Sequence, residues 1–271
     1  MKTLSPTPAP STTPLGRTGS RPAPGFRRAY AALLATALIA LVPAGSGASE
    51  ATDSKPPEVA AFSAGSCILF QGDSITDGNR GRSADPNHIL GHGYVFIIAA
   101  RYGAAFPELD LNFVNRGISG DAVSNLAARW QQDCISLHPD VLSILVGAND
   151  NLMGVPIADF ERTYDTLLAK ARAANPRVRL VLCAPFTLPV GAKKADFARW
   201  YVGIKARQEV VAKLALKYQA ALVRLQPVFD AACKKAPAEH WIWDGVHPTY
   251  SGHELIADEW IRTVREFWPK L

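Results

Sequence analysis

A serine, an aspartate and a histidine are placed in this chain where together they could move an acyl group. Gly72-Asp73-Ser74-Ile75-Thr76-Asp77 closes an apolar run, and Trp243-Asp244-Gly245-Val246-His247-Pro248 lies near the other end. Serine is a poor nucleophile until a base takes its proton, and the base needs a partner that fixes its tautomer and steadies its charge. An acid and an imidazole three residues apart in one loop supply both. Acyl transfer also requires hydrogen-bond donors aimed at the developing oxyanion, each worth about 2.7–4 kcal/mol in favourable cases. Asn115-Arg116-Gly117-Ile118-Ser119-Gly120-Asp121 contains glycines whose backbone N–H groups can approach a ligand closely, and Gly147-Ala148-Asn149-Asp150 offers the side-chain amide of Asn149.

These segments matter only if the fold brings them together, and the pattern between them says how. Cys67 to Phe70, Leu111 to Val114, Val141 to Val146, Arg179 to Ala184 and Ala221 to Leu225 are short, apolar and β-branched, the signature of buried parallel strands. Between them run amphipathic stretches at about Tyr94–Phe106, Val123–Ser136, Ile157–Asn175, Phe197–Tyr218 and Gln226–Lys235, with a last one from Ser251 to Phe267. Pro107 and Asn175-Pro176 stop two of these helices. Strand and helix alternating throughout predict an α/β fold with a five-stranded parallel sheet covered on both faces. Ligands of such sheets bind outside the carboxyl ends of the strands, where the serine, the Gly-rich loop and Asn149 all fall.

In this joint order the sequence resembles the SGNH/GDSL hydrolase family, whose four blocks carry Ser, Gly, Asn and a His preceded by Asp. The likeness runs from Cys67 to about Trp268. It implies a flavodoxin-like three-layer α/β/α sandwich and a serine esterase that works through an acyl-enzyme, with neither metal nor cofactor. By the same resemblance Ser74 is the nucleophile, His247 the general base and Asp244 its orienting acid. The oxyanion hole would be the N–H of Ser74, the N–H of Gly117 and the side chain of Asn149. Gly91-His92-Gly93-Tyr94-Val95, Ala128-Arg129-Trp130 and Trp243 to Pro248 are similar to SGNH acetylxylan esterases, which remove acetyl groups from xylan-derived sugars. The segment Asn151 to Val155 is shorter than the corresponding loop of such relatives. A lysophospholipase or thioesterase of the same fold is the second reading, and a carbohydrate-binding protein without turnover is a third.

The remaining residues set the context. Residues 1–48 read as an unfolded Pro- and Ser-rich lead followed by a secretory signal: Arg27-Arg28, an apolar stretch from Ala29 to Val42, then small residues to Ala48. The stretch falls short of the ~20 residues of a membrane span, so no stable membrane insertion is expected after cleavage near Ala48. The paired arginines suggest twin-arginine export to the periplasm or the extracellular space. Residues 49–64 read as a linker and 65–271 as the single hydrolase domain. Lys2, Arg17, Arg21, Arg27 and Arg28 precede Ala48, leaving 24 basic against 24 acidic residues, so the high pI reports the leader and no nucleic-acid partner is expected. The expected partner is a small or oligosaccharide ester, and a homo-oligomer is compatible with the sequence. Cys67, Cys134, Cys183 and Cys233 show no zinc-ligand spacing. Asp73 and Asp150 read as loop braces bonding nearby N–H groups. His92 lies close enough to the nucleophile loop to meet a bound sugar; Trp243 either stacks on that sugar or packs its own loop.

Overall fold

The computed structural model describes residues 62–269; the leader and signal expectations lie outside the described residues. Five strands form one parallel sheet: β1 (Cys67–Gly72), β2 (Asn112–Asn115), β3 (Val141–Leu145), β4 (Arg179–Ala184) and β5 (Ala221–Arg224). Their order, β2-β1-β3-β4-β5, is the flavodoxin-like order with its topological switch between β1 and β3. Register is continuous across it, with Leu69 opposite Val114 on one side and Leu142 on the other.

Side chains of consecutive strand residues leave opposite faces, and each face meets its own layer of helices. Ile68 and Phe70 pack with Val181, Cys183 and Val223 against α2 (Tyr94–Ala105), α7 (Leu225–Ala232) and α9 (Tyr250–Phe267). Leu69, Leu142, Ile144, Leu180 and Leu182 face α3 (Val123–Asp133), α5 (Ile157–Ala174) and α6 (Phe197–Tyr218). The first layer is aromatic: Phe70, Tyr94, Tyr102 and Trp260 are buried and edge against one another. Trp260 Nε1 is satisfied there by the Oγ of Ser143, 2.9 Å away. Ile256, Trp260 and Val264 recur at four-residue spacing on α9, whose start is capped by Thr249 Oγ1 accepting the N–H of Gly252.

Three short helices are too brief to carry an amphipathic pattern in the sequence: α1 (Ser74–Asp77), α4 (Ala148–Leu152) and α8 (Ala238–Trp241). Two of them begin at the carboxyl ends of β1 and β3. Helix α3 ends three residues before Ser136, and Ile135–Leu137 form a 3-10 turn instead. Among the described residues no helix is long and apolar enough to cross a membrane.

Candidate active site

Strand β1 delivers Ser74 through Asp73. The Asp73 carboxylate accepts the N–H of Ile75 at 3.0 Å, and its carbonyl accepts the N–H of Asp77 at 2.8 Å, so the chain turns into α1 directly after the strand. Ser74 is therefore the first residue of a single helical turn. Its own N–H makes no hydrogen bond among the described residues. The hydroxyl is half-exposed, and Ser74 Oγ lies 2.8 Å from Nε2 of His247.

The histidine comes from 173 residues further along the chain. A small antiparallel bridge between Ile242 and Pro248, extended by Trp243 N–H donating to the His247 carbonyl at 3.1 Å, pinches off the Asp244–His247 loop. Asp244 Oδ2 lies 2.6 Å from His247 Nδ1, while Oδ1 accepts the N–H groups of His247 and Val246 at 2.7 and 2.9 Å. Burial alone would raise the Asp244 carboxyl; those two N–H groups and the imidazole outweigh it and hold the group below the usual carboxylate range. An ionised Asp244 accepts from Nδ1–H, leaving Nε2 free to take the proton of Ser74.

The loop is clamped to the end of β4 by Thr187. Its hydroxyl donates to the Gly245 carbonyl at 2.6 Å and accepts from Trp200 Nε1 at 3.0 Å, and Gln226 bonds both the N–H and the carbonyl of Thr187. Neither Thr187 nor Gln226 carries a local motif, and the sequence reading passed over both.

On the oxyanion side one expectation is corrected. The N–H of Gly117 donates to Asn115 Oδ1 at 2.9 Å, and a Cβ on Gly117 would come within 2.3 Å of the Asp77 nitrogen. Gly117 is a close-packing residue whose donor is already engaged. The donor without a partner in this loop is the N–H of Gly120, in a turn closed by Asp121 N–H on the Ile118 carbonyl. Gly120 has φ +89°, which glycine adopts without strain, and open space beside it. The signal was the glycine just before the turn's end in Ile118-Ser119-Gly120-Asp121, outweighed by the earlier glycine of the same loop. Asn149 is adjacent: one of its amide hydrogens goes to the Asp121 carbonyl at 3.0 Å, and the second makes no protein hydrogen bond among the described residues.

Carboxylates beneath the serine are braces. Asp150 accepts the first N–H of α3 from Val123 at 3.1 Å, and Asp77 takes Arg82 and both donors of Ser119. Asp73 is fully buried, and burial pushes its carboxyl up to about 7 against the Ile75 N–H and the charge of His247. Trp243 is 63% exposed, its ring stacked on His247 at 5.9 Å between centroids. His92 is exposed and lies near His253, whose imidazole is held down to about 4, chiefly by burial and then by His92 and His247. Among the described residues no three His, Cys, Asp or Glu side chains converge so as to hold a metal ion.

A serine, an imidazole and a carboxylate hydrogen-bonded in series, with open donors on Gly120 and Asn149 in loops at the carboxyl ends of a doubly wound sheet, form the arrangement a serine hydrolase requires. The family model described as GDSL-like Lipase/Acylhydrolase matches residues 70–255, and the chain belongs to that family. It is thus a carboxylic ester hydrolase. It is 32% identical over 214 residues to an acetylxylan esterase of Geobacillus stearothermophilus, covering 75% of this chain and 96% of the relative. Thioesterase 1/protease 1/lysophospholipase L1 of Escherichia coli (strain K12) is 28% identical over 187 residues, 66% of this chain and 83% of that protein. The crystal structure of Axe2, an acetylxylan esterase from Geobacillus stearothermophilus, aligns with a TM-score of 0.67 at 30% identity, covering 75% and 96% of the two chains.

Proposed function

We propose that this esterase removes short acyl groups, chiefly acetyl, from carbohydrate hydroxyls such as those of acetylated xylan oligosaccharides. Ser74 Oγ attacks the ester carbonyl as His247 Nε2 takes its proton, with Asp244 stabilising the imidazolium. The developing oxyanion accepts from the N–H groups of Ser74 and Gly120 and from the Asn149 amide. The imidazolium returns the proton to the departing sugar oxygen, leaving acetyl on Ser74. Water then attacks that ester, gives its proton to His247, and acetate leaves as the serine is regenerated.

The observation that carries the chemistry is the 2.8 and 2.6 Å chain from Ser74 through His247 to Asp244. The carbohydrate reading is supported by the acetylxylan esterase relative and by an open site: the His247 side chain is 38% exposed and Trp243 presents an aromatic face beside it. His92 and Trp243 are the residues we assign to the sugar. The leader places the enzyme outside the cytoplasm in this reading. A second reading, a lipid or thioester acylhydrolase, is favoured by one feature: Leu152 and Met153, at the end of the helix carrying Asn149, are 63% and 60% exposed and could take a long acyl chain. Initial rates on p-nitrophenyl acetate, butyrate and octanoate, and on acetylated xylo-oligosaccharide, separate the two. Ser74→Ala should reduce kcat about a millionfold on every substrate hydrolysed. Fast release of acetyl from the oligosaccharide bears out the reading; preference for octanoate replaces it with the second.

A further inference from the structure

Beside the loop of Gly117 four arginines compete for three carboxylates. Arg80, Arg82, Arg116 and Arg129 face three carboxylates, Asp77, Asp121 and Asp133. Arg82 takes both oxygens of Asp77, at 2.7 and 3.1 Å. Arg129 takes Asp121 at 2.9 Å and one oxygen of Asp133 at 3.1 Å, so Arg116 is left with a 3.8 Å approach to the other. Arg80 has no carboxylate within ion-pairing distance among the described residues.

Arg80 is nevertheless part-buried and held in place. Its Nε donates to the Gly117 carbonyl at 2.9 Å, which orients the guanidinium plane, and its two terminal nitrogens make no hydrogen bond among the described residues. Burial first, then the neighbouring Arg82 and Arg116, hold it below the ordinary arginine value against the attraction of Asp77 and Asp133. Arg80, Arg82 and Arg116 line a groove of about 380 Å³ whose far wall is β2, the sheet's edge strand, from Asn112 to Asn115. That volume suits a sugar-sized ligand and exceeds what an inorganic ion fills.

We propose that this groove binds the carboxylate of an acidic sugar unit, a uronic acid borne by the acetylated glycan. The two open nitrogens of Arg80 form a planar fork that matches a carboxylate, and Arg116 adds attraction from the groove wall. Arg80 lies three residues beyond α1 and rests on Gly117, in the loop that also carries Gly120; in the proposal the uronic acid held here and the acetylated sugar belong to one glycan. The proposal deepens the carbohydrate reading and rests on it for the glycan, while the anion site itself is measurable separately.

Titration calorimetry of the whole protein with D-glucuronate, D-xylose and inorganic sulfate tests it first. Glucuronate should bind and xylose should not, and affinity for glucuronate should fall about tenfold in Arg80→Gln and decline with added salt. Equal binding of glucuronate and xylose, or unchanged glucuronate affinity in Arg80→Gln, overturns the site. Sulfate binding as tightly as glucuronate overturns its assignment to a sugar acid. Should Arg80→Gln fail to fold, the comparison passes to Arg116→Gln, in which a salt-dependent loss of glucuronate affinity is required. The kinetic arm compares acetylated xylo-oligosaccharides with and without a glucuronic acid branch: a lower KM for the branched one, lost in the variant, supports the proposal, and equal KM values overturn it. If neither oligosaccharide is deacetylated while glucuronate binding still depends on Arg80, the carbohydrate reading fails and the anion site stands.

Discussion

The hydrogen-bonded array of Ser74, His247 and Asp244 is assembled from two regions held by different physics. Behind Ser74, three loops at the ends of β1, β2 and β3 are knit by buried polar groups to backbone. Asn115 Nδ2 donates to the Thr76 and Leu90 carbonyls at 2.7 and 3.0 Å, Asp150 caps α3, and Arg129 reaches Asp121, Gln71 and Gly72. Across from it, the Asp244–His247 loop is half-exposed and depends on two backbone N–H groups, one ion pair and the Thr187 clamp. Their carboxylates differ accordingly. Asp244 is solvated enough, and bonded enough, to stay ionised; Asp73 is buried with the Ile75 N–H as its bonded donor, and burial raises it. One region positions donors by rigid geometry, the other positions a base by charge.

Replacing Asp244 by Asn tests the charge-held side and should have the largest effect: about a ten-thousandfold loss in kcat, with substrate binding little changed, because the amide stabilises the wrong tautomer. Steady-state kinetics on p-nitrophenyl acetate measure it, and a loss below tenfold would place the orienting acid elsewhere.

Asp73→Asn tests the buried side through stability. The wild-type carboxyl is raised from 3.8 to about 7, so between those values the unfolded chain ionises while the folded one keeps its proton. Wild-type stability should therefore decline as pH rises through that window and level off above it. At about 1.4 kcal/mol per pH unit, Asn should gain on the order of 4 kcal/mol at pH 8 and nothing at pH 3, as read from denaturant melts. Parallel pH curves for the two proteins would mean that Asp73 ionises normally.

Asn149→Ala removes a geometric donor and should lower kcat one hundred- to a thousandfold while leaving KM near its wild-type value. A rise in KM alone would make Asn149 a ground-state contact. Smallest is Thr187→Val, which keeps the shape but strips Trp200 Nε1 of its partner and leaves the Gly245 carbonyl only the longer bond from the Leu188 N–H at 3.3 Å. The cost expected is about 1–3 kcal/mol, seen as a lower Tm and a reduced kcat, with Thr187→Ser restoring both. A Val variant indistinguishable from wild type would leave the loop held by its own backbone bridge.

Much of this molecule was legible in the chain. Strand and helix periodicity located the five strands and the long helices, since β1, β3 and β4 are buried almost throughout, the edge strands β2 and β5 are partly buried, and each long helix buries one face. Ser74, Asn149, Asp244 and His247 stood out because their chemistry requires those residue types beside strand ends or in one short loop. What sequence left undecided depended on contacts between segments far apart in the chain. Gly117 and Gly120 are alike as letters; only packing against Asp77 and the bond to Asn115 engage one N–H and leave the other open. Thr187 and Gln226 are ordinary residues until the fold sets Gly245 and Trp200 beside them. Arg80 is one of 29 basic residues, and its unpaired charge exists only because Asp77, Asp121 and Asp133 are taken by its neighbours. Composition and spacing specify which groups are available; hydrogen-bond and charge pairing, settled when the strands pack, specify which of them remain free to act.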